Sequence, residues 1–413
     1  MENLEMLRKY ANQTEGKLKI GVFGARRGKS LVEPAVLTEK GYVYAVCDYD
    51  ESTYEAMKDC CCEETKFYKD FDEFIKSGMD VVFLANYFNE HAKFAIKALE
   101  MGIHVYSETI PAVTMAECVA LCRAAEKHNA IYMLAENYAY FGTVMKMREI
   151  YNEKTLGGVV YCEGEYVHPM SKEEYAHYTP DIKHWRALMP SGYYLTHSLA
   201  PILQVTSEIP VAVNAVSIYS DAVRQEREGE PIKDVAEIML CTLSNGGLAR
   251  VTGWAKFGGH GNWYRFNCGK GSIETVRGDE YNIRLCYNPW EKPEGAEDVT
   301  VFRHDFPFDK EKASESGHSG GDYYATYEFL DCVQNNRQPF FNVYRSCAMS
   351  AVAIMGWRSS LNNGKQYKIP DFTNEEERKL YENDNLTPFP DENGNVNYPC
   401  TKYQLKDFEG IIE

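Results

Sequence analysis

Residues 17–135 constrain this chain more than any other stretch, because short apolar strands alternate there with helical segments. KLKIGVF at 17–23 runs into the turn Gly24-Ala25-Arg26-Arg27-Gly28 and on into a helix. YVYAVC at 42–47, DVVFLA at 80–85 and the segments 103–106 and 131–134 read as further strands. Helical patterns separate them at 51–59, 71–77, 90–101 and 114–129. The third carries an apolar stripe at Ala92, Ala95, Ile96 and Leu99, and the fourth opens on Thr114 with Glu117 three residues on, a capping box. Strands separated by helices lie parallel, joined by right-handed crossovers. The expectation is a doubly wound α/β domain of Rossmann type over 17–135, preceded by a charged helical leader at 1–16.

The rhythm changes after residue 135. A helix at 140–153 leads into strands rich in Tyr, Val and Ile at 158–167, 211–219, 235–243, 247–256, 262–268 and 272–276. The turns Ser244-Asn245-Gly246-Gly247 and Gly269-Lys270-Gly271 join neighbours as hairpins. Residues 136–375 therefore read as an α+β domain with a large, mostly antiparallel open sheet, closed by helices at 322–335 and 343–362. Residues 376–413 are polar and weakly periodic, and read as an extended arm. A length of 413 residues suits two or three such domains.

Charge and cysteine usage narrow the partners. Lys and Arg number 44 against 61 Asp and Glu, a net charge of −17, and no basic run is long enough to grip nucleic acid or an anionic membrane. A small, weakly anionic partner is expected unless a local basic pocket collects anions. No apolar run reaches the length of a membrane helix, the first residues lack the apolar core of a signal peptide, and a cytoplasmic location is expected. The 13 cysteines form no disulfide ladder, and Cys60-Cys61-Cys62 lacks the spaced partners of a metal site, so no metal is expected.

The first turn carries the chemistry of a dinucleotide site. Gly24 and Gly28 flank a strand-to-helix turn, where backbone N–H groups and the helix dipole receive a diphosphate. Arg26 stands where a glycine usually lets the backbone approach the phosphates. Asp48, at the end of the second strand, is placed to accept from the adenosine ribose and to repel a 2′-phosphate, which favours NAD; Arg26 and Arg27 pull toward NADP. Asn86 and His91, beyond the strand at 80–85, and Glu108, at the end of the strand at 103–106, complete the expected cofactor contacts.

These features, with HVYSETIP and the antiparallel domain, resemble the Gfo/Idh/MocA oxidoreductases over about residues 17–375. AENYAYF at 135–141, LGGVVYCEGEYVHP at 156–169, HWR at 184–186, GYYLTHSLAP at 192–201, HSGGDYYATYEF at 318–329 and YKIPDFT at 367–373 are similar to one branch of it. That branch holds the NAD-dependent glycosidases acting on N-acetylgalactosaminides and the related glycoside 3-oxidoreductases. The resemblance implies oxidation of a sugar at C3 by enzyme-held NAD⁺, after which the ketone acidifies the neighbouring C–H. Two departures stand out. The common Glu-Lys-Pro motif reads Glu108-Thr109-Ile110-Pro111, and Thr196 and Ala200 replace an Asp and a His of the second domain, with His197 in a Thr-His-x-x-x-Pro string instead.

With no lysine between Lys97 and Lys127, the base must come from elsewhere. A histidine suits proton removal at neutral pH, and His197 at a helix start is expected to stay neutral. His197 is assigned as the main base, Tyr166 as its partner, and Glu136 as the group that orients substrate hydroxyls. His168, Trp185, Arg186 and Thr196 are assigned to the substrate; His168, His184 and His318 are the next histidines to test. The expected activity is NAD(P)-dependent oxidation of a glycoside or sugar at a secondary hydroxyl. The alternatives are a redox-neutral, NAD-dependent glycoside hydrolase or lyase, and a non-catalytic dinucleotide-binding subunit. A homo-oligomer is expected through the C-terminal sheet, on the strength of strands such as 248–255 and of Trp254 and Trp263, with the arm lying over a neighbour or over the first domain.

Overall fold

A computed structural model describes residues 2–223 and 226–407. The chain divides into two compact units, the first made of Met1–Ala112, Glu117–Gly142 and Phe306–Cys347, the second of Val113–Ala116, Thr143–Asp305 and Ala348–Glu413.

In the first unit, β1 (Leu18–Phe23), β2 (Gly41–Cys47), β3 (Cys61–Tyr68), β4 (Val81–Leu84), β5 (His104–Ser107) and β6 (Tyr132–Leu134) form one sheet in the order β3-β2-β1-β4-β5-β6. Every pairing is parallel, the doubly wound layout expected from the alternation. β4 is buried along its whole length, as a central parallel strand must be. β3 was not expected. CCEETKFY is polar and half exposed, an edge strand whose apolar pattern is too thin to read, and it begins just after Cys60. The leader forms the helix Glu2–Ala11.

The first unit also takes residues that the sequence assigns to the second domain. Phe329, on the helix Gly321–Gln334, stacks on Tyr106 of β5 at 5.0 Å and meets Phe83 of β4 at 5.9 Å. The apolar face of this helix covers a sheet face from far along the chain. Periodicity tells that such a face needs cover, but not which sheet provides it.

In the second unit, β7 (Val159–Val167), β8 (Pro210–Ile218), β9 (Ala236–Leu243), β10 (Leu248–Gly253), β11 (Gly261–Cys268), β12 (Gly271–Val276), β13 (Asp279–Tyr287), β14 (Val299–Arg303) and β15 (Tyr367–Lys368) form a sheet in the order β14-β13-β12-β11-β7-β10-β9-β8-β15. Only β7 and β10 pair in parallel; both expected hairpins form. β13 to β15 went unread, and β14 is largely exposed. Cys162, Gly164 and Tyr166 alternate on the buried face of β7, against the helix Thr196–Thr206. A Cβ on Gly164 would lie 2.1 Å from the Ser198 carbonyl oxygen, so only glycine lets helix and strand approach this closely.

The other face of the sheet carries charge. Arg250 pairs with Glu163 and Glu165, Arg277 with Glu165, and Arg284 with Glu274. Trp254, 2% exposed, packs inside the unit, whereas Trp263 lies on the charged face opposite Glu165, 8% exposed beneath the Arg277 guanidinium 3.9 Å from its ring. The described part of the arm belongs to the second unit and is tied down within it. Arg358 holds Asp384 through two hydrogen bonds, the Trp357 indole donates to the Pro399 carbonyl, and Thr401 donates to the Ile232 carbonyl. Among the described residues no helix is long and apolar enough to cross a membrane, and no three potential metal ligands gather.

Candidate active site

Gly24 adopts a left-handed conformation (φ 92°), and a Cβ there would lie 2.5 Å from the Ala85 carbonyl oxygen at the end of β4. A Cβ on Gly28 would meet Val22 of β1 at 2.4 Å. The two glycines thus seat the start of the helix Ala25–Leu37 directly over the carboxyl ends of β1 and β4, where a diphosphate is received. Asp48 accepts from the N–H of Ala25 at 2.7 Å and of Asp50 at 2.9 Å. Each carboxylate oxygen keeps a second lone pair for ribose hydroxyls. The Asn86 side-chain oxygen is buried without a hydrogen-bond partner. A tight glycine cradle, a carboxylate at the second strand end and an orphaned acceptor together fit a dinucleotide.

Other expected cofactor residues take different parts. His91 is buried, with Nδ1 2.9 Å from the Ile110 carbonyl oxygen and Nε2 3.2 Å from that of Asn86. Its ring braces two loops, and burial lowers its pKa. Arg26 is exposed. Arg27 donates to Glu108 from Nε at 2.5 Å and forms an ion pair with it through its guanidinium. Its charge is therefore spent at the β5 end and not beside Asp48.

The same unit holds a cluster that the sequence reading underused. His318 Nδ1 lies 2.8 Å from Asp322, whose other oxygen accepts from Asn137 at 2.7 Å. Burial alone would lower the His318 pKa, but the hydrogen bond and ion pair with Asp322 outweigh it and raise it. Burial likewise works against the Asp322 carboxylate, yet His318 and Asn137 hold its pKa below the usual value. The i,i+4 spacing of His318 and Asp322 on a helix start was the available signal. Glu136 lies in this unit too, fully buried, and caps the short 3₁₀ turn Asn137–Tyr140 by accepting from Tyr138 N–H at 3.2 Å.

The second unit gathers aromatic rings and histidines. The His197 and Tyr166 rings meet edge to face, centroids 4.8 Å apart, and Tyr194 meets His197 at 5.1 Å. Tyr166 also faces His168 at 5.7 Å, and His168 meets His260 at 4.6 Å. Burial first, then the neighbouring His260, lowers the His168 pKa. His197 is 8% exposed, in the first turn of the helix Thr196–Thr206, and its backbone carbonyl accepts from the Tyr264 hydroxyl at 2.7 Å. Thr196 is wholly buried.

Trp254 links this cluster to the HWR segment. Its indole donates to the His168 carbonyl at 2.9 Å, and the Arg186 guanidinium lies 5.7 Å from its ring and 4.4 Å from that of Trp185. His184 accepts from the Arg186 N–H; burial and the Arg186 charge lower its pKa to about 4. Lys256, itself buried, sits 4.8 Å over Trp254. The structure thus joins His197, Tyr166 and His168, and reaches Arg186 and Trp185 through Trp254. Tyr194, His260 and Trp254 escaped the sequence reading because aromatic residues are so common in the chain that none signals a site by itself.

Residues 18–136 match the NAD-binding Rossmann fold of the oxidoreductase family Gfo/Idh/MocA, and residues 290–379 match the C-terminal domain of glycosyl hydrolase 109. The first unit is thus an NAD-binding Rossmann domain of an oxidoreductase. The chain is thus similar to the Gfo/Idh/MocA oxidoreductases over residues 18–136 and to glycosyl hydrolase family 109 over residues 290–379. A glycosyl hydrolase family 109 protein of Phocaeicola vulgatus is 24% identical over 428 residues, covering 92% of this chain and 82% of that one. An alpha-N-acetylgalactosaminidase of Shewanella oneidensis is 22% identical over 403 residues, covering 86% and 85%. Among solved structures, a levoglucosan dehydrogenase in complex with NADH and L-sorbose superposes with a TM-score of 0.70 at 15% identity, covering 87% of this chain and 100% of that one. The myo-inositol 2-dehydrogenase of Lactobacillus plantarum gives 0.66 at 17%, covering 86% and 99%.

Proposed function

We propose that the protein oxidises a secondary hydroxyl of a glycoside, at C3, using NAD held by the first unit. The observation that carries this reading is the ring cluster of His197, Tyr166 and Tyr194 in a chain whose other unit binds NAD. Gly24, Gly28, Asp48 and Asn86 would hold the cofactor, which accepts a hydride when bound. His197 takes the hydroxyl proton as the C3–H bond gives up its electron pair, leaving a ketone. Tyr166 packs the imidazole edge to face and fixes its plane. Trp254 and Trp185 offer flat faces to a sugar ring, and Arg186 offers donors to its oxygens. Glu136, held as a cap, steadies the Asn137–Tyr140 turn of the first unit, so its expected part in orienting substrate hydroxyls is kept as a proposal. His168 and Thr196 remain proposed substrate-side residues.

The match at 290–379 favours a second reading, redox-neutral cleavage. There the C3 ketone acidifies the C2–H, Tyr166 takes that proton and the C1 substituent leaves by elimination with a proton; water then adds at C1, the proton returns to C2, and the hydride goes back to C3, so that NAD⁺ is regenerated. Incubation with a methyl hexoside, followed by mass spectrometry, separates the two. A product lighter by two hydrogens supports the dehydrogenase; free sugar and methanol support cleavage; an unchanged glycoside with NAD bound supports a non-catalytic subunit. NAD is proposed over NADP, with a cytoplasmic setting and a homo-oligomer, the last through the charged sheet face.

A further inference from the structure

The first turn has Arg26 where a glycine would admit the phosphates to the backbone, so a diphosphate there needs help from side chains. Arg27 lies in that turn but is paired with Glu108. The loop before the helix Gly321–Gln334 comes up against the body of the helix Ala25–Leu37: Glu315, Ser316 and Gly317 line one small hollow with Ser30, Glu33 and Pro34, and Arg27 donates to Ser30. His318 follows directly on that loop. Its backbone and those of Ser319 and Gly320 are all left-handed, which turns the chain sharply at the helix start. Asp322, 4% exposed, fixes the His318 Nδ1, while the side chain of His318 remains 39% exposed, leaving Nε2 to donate outward.

We propose that His318, held by Asp322, supplies beside Arg27 a cationic donor to the cofactor's diphosphate, standing in for the missing glycine contact. Asp322 also ties down Asn137, so one buried carboxylate orders both a phosphate donor and the turn after β6. The charged groups that act on His318 are Asp322, Arg27 of the helix Ala25–Leu37 and Glu108 at the end of β5, while Glu33 and Glu315 line the adjoining hollow.

The inference rests on NAD binding by the first unit, and the test separates the two. Isothermal titration with NAD⁺ and with ADP-ribose, which carries the diphosphate without nicotinamide, is run from about pH 6 to pH 9. Wild type is expected to bind both, and more weakly as pH rises through the His318 titration. His318→Gln is expected to bind both about tenfold or more weakly at low pH and to lose the pH dependence. His318→Lys, charged throughout, should keep the affinity and lose the dependence, and Asp322→Asn should move it to lower pH. If His318→Gln, shown folded by its circular dichroism, binds both ligands like wild type, the proposal is wrong while NAD binding stands. A His318→Gln chain that fails to fold leaves the lysine variant and the wild-type profile to decide. Wild type that binds neither ligand overturns the cofactor reading and this proposal with it.

Discussion

The two candidate site clusters, one in each unit, hold their titratable groups differently. In the first, Arg27–Glu108 and His318–Asp322 are ion-paired, and Asp322 is held charged by its partners. In the second, His197, Tyr166, Tyr194, His168 and His260 are packed ring against ring, and burial drives His168 and His184 toward the neutral form. Fixed charge suits the grip on an anionic cofactor. An imidazole packed among aromatic rings suits the removal of a proton from an uncharged sugar on the proposed function. On the proposed function, the contrast separates holding the cofactor from the acid–base work.

The sharpest way to break the contrast is to exchange its losses. His197→Ala should cut turnover by about 10²–10⁴ on a confirmed substrate and leave NAD⁺ affinity nearly unchanged. Gly24→Ala should do the reverse, weakening NAD⁺ through strain at φ 92° and the clash with Ala85. Steady-state kinetics and calorimetry on both variants check the pair. If His197→Ala turns over normally, His168 or His184 is the base to test next.

A structural prediction comes next in size. Gly164→Ala forces a Cβ to within 2.1 Å of the Ser198 carbonyl and should destabilise the second unit by about 1–3 kcal/mol or more. Denaturant titration with tryptophan emission reads it, since Trp254 and Trp263 both lie in that unit.

The two units should also answer pH in opposite senses. The His184 pKa falls from 6.5 to about 4 on folding, so its contribution is present above 6.5 and is lost as pH drops toward 4. The His318 pKa is raised from 6.5, so its contribution is full below 6.5 and is lost as pH climbs through the raised value. Thermal melts across pH should show His184→Gln flattening the acid side and His318→Gln flattening the neutral side. A single curve shared by wild type and both variants would remove the distinction. The smallest expected effect concerns assembly: light scattering should return more than one copy, and high salt should loosen it through the Arg250–Glu163–Glu165–Arg277 ladder. A salt-independent 47.2 kDa monomer contradicts it.

Much of this contrast was legible beforehand, for physical reasons. Strands buried on both faces, such as β4, announce themselves by composition, whereas β3 and β14 are exposed and polar and leave little pattern. Alternation along β7 placed Gly164, Tyr166 and His168 together, and a helix start placed His197. The helix Gly321–Gln334 was legible as a helix, but its sheet was not, because that docking depends on contacts across two hundred residues or more, such as that of Phe329 with Tyr106. The His318–Asp322–Asn137 set depended on the same docking. Trp254 misled in the other direction, since a strand pattern shows which residues share a face and not which face is covered.

The most direct measurement is a single-turnover reaction of the protein loaded with NAD⁺ and mixed with a methyl hexoside, ordinary or deuterated at C3, followed by the near-ultraviolet absorbance of NADH. The account predicts that NADH appears within one turnover and more slowly from the C3-deuterated sugar, and that His197→Ala abolishes the rise while still binding NAD⁺. NADH that never appears while NAD⁺ remains bound, or that appears at equal rates from both sugars and from His197→Ala, would contradict it.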